Sequence, residues 1–253
     1  MKLFGGIFIV GVFITAISNA QGPALKSSVY PAPDLSAVPE KKLIKGSTSY
    51  FSSYEVDVVK AKPGNSLSQG TLPNDTEELL IVRSGKIHVT IGKMDKVLGP
   101  GSIAFIMPGE KYKIMQEGGE ESVFYRLKST SKSADVRERG KSSGGSLLVN
   151  GDSIDTKKTE RGGRKDFFDR PTSICEKFEM HVTILNEGLP SHAPHTHAQE
   201  EIILLMKGDA TMAINNVDHK ISPGSVVFLA SGDLHGIRNT GVGQCEYFAF
   251  QWK

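Results

Sequence analysis

A chain of 253 residues with 23% charged residues and a formal net charge of +2 is long enough for two domains of ordinary size or one large one. Its near-balanced charge offers no basic patch or stripe, so nucleic acid is not an expected partner.

Residues 1–20, "MKLFGGIFIVGVFITAISNA", carry one early lysine, Lys2, and then an apolar run from Leu3 to Ile17. Ser18 and Ala20 place small residues three and one before a cut ahead of Gln21, the layout of a cleavable secretory signal peptide. A transmembrane anchor is the competing reading, but the run is short of the ~20 residues that span a bilayer. The expectation is therefore cleavage after Ala20, a periplasmic or secreted mature chain, and no membrane span thereafter. A polar, proline-containing lead-in follows from Ser27 to Lys45.

The rest of the chain repeats itself at an offset of 123 residues. "EELLIVRSGKIHVTIGKMDKVLGPGSIAFIMPGEKYKI" from Glu77 aligns without a gap on "EEIILLMKGDATMAINNVDHKISPGSVVFLASGDLHGI" from Glu200. The period is too long for a solenoid and suits a duplicated domain. The expected boundaries are 45–130 for the first copy, 131–169 for a Ser-, Gly-, Lys- and Arg-rich linker with a short strand at Leu147–Val149, and 170–253 for the second copy. Each copy reads as short apolar or alternating strands separated by Gly, Pro, Asn and Asp. No long stretch after residue 20 has helical periodicity. The expected fold class is all-β, a jelly-roll barrel or sandwich in each half. In the last strand Phe248, Phe250 and Trp252 share a face at period two and form a core-facing row. Cys175 precedes the first strand of the second copy and Cys245 opens the last. Export would let them pair, and the sequence leaves a disulfide and two free thiols equally open.

Three of seven histidines fall within "HAPHTH", residues 192–197. In an extended chain His195, His197 and Glu201 point to one side, with Gln199 in the same phase. Two imidazoles and a carboxylate leading into an apolar strand are costly to bury unpaired, and a metal ion would resolve that. A fourth ligand should come from a strand adjacent in space, and His235, after the short apolar strand bracketed by Gly224 and Gly232, is the candidate. His192 fits no ligand position and is expected at a mouth or surface. His219, in a hairpin, and His181, in the opposite strand phase, are not favoured. Glu200 points away from Glu201 and is expected exposed or paired.

This pattern resembles the cupin superfamily. The first cupin motif, G-(x)5-H-x-H-(x)3,4-E-(x)6-G, is matched by Gly188, His195, His197, Glu201 and Gly208, with six residues instead of five after the first glycine. The second, G-(x)5-P-x-G-(x)2-H-(x)3-N, is matched by Gly224, Gly232, His235 and Asn239, with Ala230 in place of proline. The resemblance implies two tandem cupin barrels and assigns His195, His197, Glu201 and His235 to a divalent transition metal: Mn, Fe, Zn, Ni and Cu all suit the donor set. In the first copy the same positions are Leu72, Asn74, Glu78 and Tyr112, a poor transition-metal set. The resemblance therefore implies a bicupin with its metal motif intact only in the C-terminal half, and leaves open whether the chain pairs its own two barrels or forms a homodimer.

Cupins run many reactions at one site, so fold alone does not choose among them. The resemblance points to an exported enzyme on a small oxygen-rich substrate, a sugar acid or keto acid, of isomerase, lyase or hydrolase type, as in the small cupins that process unsaturated uronates during polysaccharide breakdown. Gln199 and Tyr247 are the candidate proton-moving residues; Arg238 is a weaker one, being out of phase with His235. A ureidoglycine aminohydrolase-like hydrolase is an alternative, although that family's ligand set includes a glutamine. A cupin dioxygenase and a non-catalytic periplasmic sugar- or small-ligand-binding module complete the readings.

Overall fold

The computed structural model describes residues 22–133 and 137–253. The expected signal peptide, residues 1–20, lies outside the described residues. No described helix is long and apolar enough to cross a membrane.

The chain is all-β, two jelly rolls built from two large and two small antiparallel sheets. The seven-stranded sheet runs in the order Ser28–Tyr30, Val226–Leu229, Glu200–Lys207, Cys245–Trp252, Phe178–Leu185, Gly162–Arg170, Lys157–Thr159. The six-stranded sheet runs Leu147–Val149, Ile103–Ile106, Thr76–Ser84, Ser122–Ser131, Phe51–Ala61, Glu40–Gly46. A three-stranded sheet (Val217–Ile221, Ala210–Ile214, His235–Asn239) backs the first, and a four-stranded sheet (Ser66–Thr71, Lys111–Glu117, Lys86–Ile91, Met94–Leu98) backs the second. The repeat recurs in three dimensions. Gly85 and Gly208 end equivalent strands with φ of 68° and 72°, where a Cβ would lie under 3 Å from the backbone of Ser122 and Cys245 respectively. Only glycine meets both demands.

Three cores result. One lies inside each jelly roll, and the largest lies between the two large sheets. Phe248, Phe250 and Trp252 are indeed a core row, but the core is the shared one: they pack with Phe51, Tyr54, Phe178 and Phe228 from both halves. The alternate residues, Tyr247 and Ala249, face the interior of their own jelly roll. Cys175 is buried in the shared core and Cys245 in the C-terminal interior, and both are free thiols.

The halves also exchange edges. Ser28–Tyr30, upstream of the first half, pairs with Val226–Leu229 of the second; Leu147–Val149, upstream of the second half, pairs with Ile103–Ile106 of the first. Each lead-in covers an edge that would otherwise expose unpaired backbone. The segment expected to be a linker is thus drawn into both sheets. It carries the expected strand Leu147–Val149, a short helix Arg137–Ser142, and strands Lys157–Thr159 and Gly162–Arg170 of the seven-stranded sheet. Its polar composition reflects an exposed edge strand, Lys157–Thr159, and a half-buried strand beside it, Gly162–Arg170.

Each Glu-Glu pair divides its labour across these cores. Glu200 is 2% exposed, not solvated. It accepts the Ser49 N–H at 2.7 Å and the Trp252 indole N–H at 3.1 Å. Glu77 makes the reciprocal clasp, accepting from Ile174 N–H at 3.1 Å and Thr172 Oγ1 at 3.0 Å. Both clasps hold a similar turn, "TSYF" at 48–51 and "TSIC" at 172–175. Arg139, from the short helix, binds the Thr172 and Ser173 carbonyls at 2.9 Å.

Burial pushes Glu77 up to about 7, against the opposing pull of the Ile174, Thr172 and Ser173 hydrogen bonds and the Arg139 charge. A folded-state value above the unfolded one means the folded chain holds the extra proton. That contribution is complete below about pH 4.5 and is lost as pH rises through about 7. Urea denaturation at pH 5 and pH 8 should therefore show the wild type losing on the order of 2–3 kcal/mol over this interval relative to Glu77→Gln; parallel pH dependences in the two chains would contradict this. Trp252→Ala, which empties the centre of the shared core, should cost about 3–5 kcal/mol in the same assay.

Candidate metal centre

The histidine segment is not itself regular strand; Glu200–Lys207 begins only after it. His195 is positioned by an isolated antiparallel bridge to His235, with reciprocal N–H to carbonyl bonds of 3.0 Å. The Gly232 N–H donates to the His197 carbonyl at 2.9 Å and ties the same segment to the loop before His235. That loop is fixed from the other side by the hairpin turn Asn215–Asn216, both at positive φ, where the Asn215 side chain accepts the Leu234 N–H at 3.0 Å. Asn239, the last motif residue, is fully buried and donates to the Leu185 and Gly243 carbonyls. It is structural, and braces the strand that starts with His235.

His195, His197 and His235 each offer a ring nitrogen within 4.8 Å of the other two. Glu201 Oε2 lies 3.1 Å from His197 Nε2 and 3.3 Å from His235 Nε2. The outer nitrogens are held by backbone: His197 Nδ1 to the Gln199 carbonyl at 2.9 Å, and His235 Nδ1 to the Asp233 carbonyl at 2.8 Å. Such bonds fix the tautomer, so that Nε2 presents its lone pair inward. His195 Nδ1 is buried without a hydrogen-bond partner, and His235 Nε2 is buried facing only the Glu201 carboxylate, at 3.3 Å and outside good hydrogen-bond geometry. Orphaned polar atoms of this kind are rare and call for an explanation; a divalent cation held by the four side chains supplies one.

The electrostatics agree. Burial would raise Glu201, but the bonds from His197 and His235 and their charges outweigh it and hold the carboxyl at about 2. Its bond to Glu201 raises His197. Burial, with the neighbouring charges of His192, His235 and His197, lowers His195. The cluster therefore holds one firmly ionised carboxylate.

The quartet stands at one end of a cavity of about 740 Å³. Gln199 and Tyr247 both line it. Tyr247 is 2% exposed, and burial raises its hydroxyl pKa despite bonds to Ser191 and Thr183, so it stays protonated and can donate. Arg238 is turned away; it is exposed and donates to the Gly188 carbonyl. His192 lines the mouth, edge-on to His195 with ring centroids 4.2 Å apart. His181, expected in the opposite phase, faces the cavity, as do Arg161 and Arg164. The phase was misassigned because Met180 and Val182 are apolar for the shared core, which the sequence of one copy does not reveal. In the first copy Glu78 is fully buried, 3.6 Å from Lys128 Nζ, and Leu72 is in the core.

The fold is two tandem jelly rolls, and residues 181–250, in the C-terminal one, match the family model described as the cupin domain. Among solved structures it is similar to a putative glyoxylate-induced protein from Pseudomonas aeruginosa (15% identity, 94% of this chain and 92% of that one, TM-score 0.70). It is also similar to Ylba from E. coli (19%, 90% and 82%, 0.63), and to an oxalate decarboxylase from Lactobacillus farciminis in complex with formate (12%, 79% and 76%, 0.60). At these identities the likeness establishes the fold. No curated protein matches the chain by sequence.

Metal binding requires neutral imidazoles, so protons compete with the ion. Glu201 makes His197 hold its proton to higher pH, and the ion must displace it. Added Mn(II) or Zn(II) should raise the melting temperature of the wild type at pH 7.5, by about 2.7 kcal/mol of stabilisation at a hundredfold excess over Kd. The rise should fade as the pH is lowered and protons compete for the imidazoles. His235→Ala should show no rise at any pH; an equal rise in that variant would place the ion elsewhere.

Proposed function

We propose that the chain is an exported, metal-dependent bicupin enzyme acting on a small oxygen-rich acid, a keto acid or sugar acid. One observation carries this reading: three imidazoles, one of them with a buried nitrogen that has no hydrogen-bond partner, converge on an ionised carboxylate in the lining of a cavity sized for a small molecule. A metal held there supplies Lewis-acid stabilisation of a developing negative charge on a carbonyl or carboxylate oxygen. The residues around it bind and orient. Tyr247 donates a hydrogen bond from its protonated hydroxyl. Gln199 positions His197 through its carbonyl and lines the cavity beside it. Arg161 at the mouth adds a positive charge that favours an anionic ligand. Two structural neighbours, a putative glyoxylate-induced protein and an oxalate decarboxylase in complex with formate, favour small carboxylic acids as the substrate class.

Elemental analysis of the full chain purified without added metal should find about one divalent transition ion per chain, and His197→Ala should lose it. A panel of keto acids, unsaturated uronates and ureido compounds should then include a substrate whose turnover falls at least ~100-fold in His235→Ala. Binding of a panel member without turnover would make the chain a binding module. Turnover unchanged by His235→Ala would remove the metal from the mechanism.

A further inference from the structure

The cavity has a second polar wall, on the strands Gly162–Arg170 and Phe178–Leu185. Glu179 Oε1 lies 2.7 Å from His181 Nδ1 and 2.7 Å from an Arg164 guanidinium nitrogen. The Arg164 Nε is taken by Asp166 at 2.5 Å. The Glu179 and His181 side chains are 9% and 13% exposed. Burial opposes charge on Glu179, yet the His181 hydrogen bond and the His181 and Arg164 charges prevail, and its pKa falls. An ionised Glu179 can only accept, so His181 donates from Nδ1 and its lone pair sits on Nε2. Among the described residues Nε2 has no hydrogen-bond partner, and the ring lines the cavity.

The strand register places this dyad opposite the quartet. Glu201, Gln251 and Glu179 form one row across three strands, and Ile203, Ala249 and His181 form the next. Two strand spacings separate the backbones at the ends of each row by about 10 Å. Between them stand Gln251, whose amide donates to Glu179 Oε2 at 3.4 Å, and the methyl group of Ala249. The first half gives the internal contrast. Its rows are Glu78, Lys128, Glu55 and Leu80, Arg126, Asp57. There Arg126 occupies the position of Ala249 and reaches Asp57 at 3.6 Å. The floor is filled by cations in one copy and cleared in the other.

We propose that His181 is the proton-transferring catalytic residue of this cavity, acting on the carbon next to the carbonyl of a bound keto or sugar acid, with Glu179 as its positioning residue. This rests on the reading of the quartet as the site that holds the acid's oxygens. Nε2 takes the proton from carbon. The electron pair of the broken C–H bond becomes the enolate double bond, and the carbonyl oxygen takes the charge at the imidazole end. Return of the proton from Nε2 to the neighbouring carbon or oxygen restores the starting form of His181. Glu179 stabilises the transient imidazolium and keeps Nδ1 protonated throughout.

The test uses the zinc-loaded full chain with pyruvate in D2O, following loss of the methyl signal by proton NMR. The wild type should exchange. His181→Gln should exchange about 100-fold more slowly with zinc content and pyruvate affinity unchanged. Glu179→Gln should lose about 10-fold in the rate constant at constant KM, and Glu179→Asp should recover part of it. Absence of exchange by the wild type, or a wild-type rate in His181→Gln, overturns the proposal. Zinc bound with exchange indifferent to His181 sinks this proposal alone. Exchange through His181 without bound zinc keeps it and sinks the metal reading. Should His181→Gln not fold, nitrogen-15 NMR of the wild-type histidines decides: protonation of His181 on Nδ1 supports the assignment, and protonation on Nε2 overturns it.

Discussion

The structure depends on burial of the central large-sheet strands on both faces. One face of each closes the shared core against the other jelly roll, and the opposite face looks into its own interior. Alternation along each strand then becomes a sorting rule. Glu200 goes to the clasp and Glu201 to the quartet. Phe248, Phe250 and Trp252 go to the shared core; Tyr247, Ala249 and Gln251 go to the cavity. Phe178, Met180 and Val182 take the first course, and Glu179, His181 and Thr183 the second. A slip of one residue would exchange the two sets completely. The aromatic row therefore fixes the phase, and the phase decides which polar groups meet in the cavity.

The two halves solve one electrostatic problem in different ways. Both keep a carboxylate at the same point of the interior, Glu78 and Glu201. A buried carboxylate needs opposite charge or hydrogen bonds close by. The first half supplies fixed cations, Lys128 beside Glu78 and Arg126 beside Asp57, with Arg126 also paired to Glu40. Those side chains also fill the space. The second half has neutral Gln251 and Ala249 at the matching positions, and its carboxylate faces imidazoles instead. An ammonium and a guanidinium group offer no lone pair to a metal ion; a neutral imidazole does. The chemical difference between the copies thus comes down to a handful of side chains on one scaffold.

Much of this was legible in the sequence. The gapless repeat from Glu77 and Glu200 gave two copies of one unit, and its short turn-bounded strands gave the all-β class. The spacing of His195, His197, Glu201 and His235 picked out side chains that do converge, although they converge through a bridge and a loop rather than along one continuous strand. What stayed hidden depends on contacts between copies. His181 looked out of phase because its apolar neighbours serve the shared core. Glu200 was open to either exposure or pairing because its partners, Ser49 and Trp252, are distant in sequence. Residues 131–169 looked like a linker because exposed edge strands are polar, and nothing local marks which sheet a three-residue strand will join.

The first half's lack of imidazoles at the ligand positions does not make it dispensable. Its sheet supplies the opposite side of the core on which the site's floor rests, its Ser49 turn satisfies Glu200, and its lead-in strand edges the seven-stranded sheet. In return the second half satisfies Glu77 and the second lead-in edges the first sheet. With strands and clasps exchanged in both directions, removing either half would expose aromatic surface and leave buried carboxylates and backbone groups unpaired, each costly. The C-terminal half can devote its interior to a polar cavity because its other face carries so much of the apolar burial. Retention of a copy without its own ligand set follows from that division.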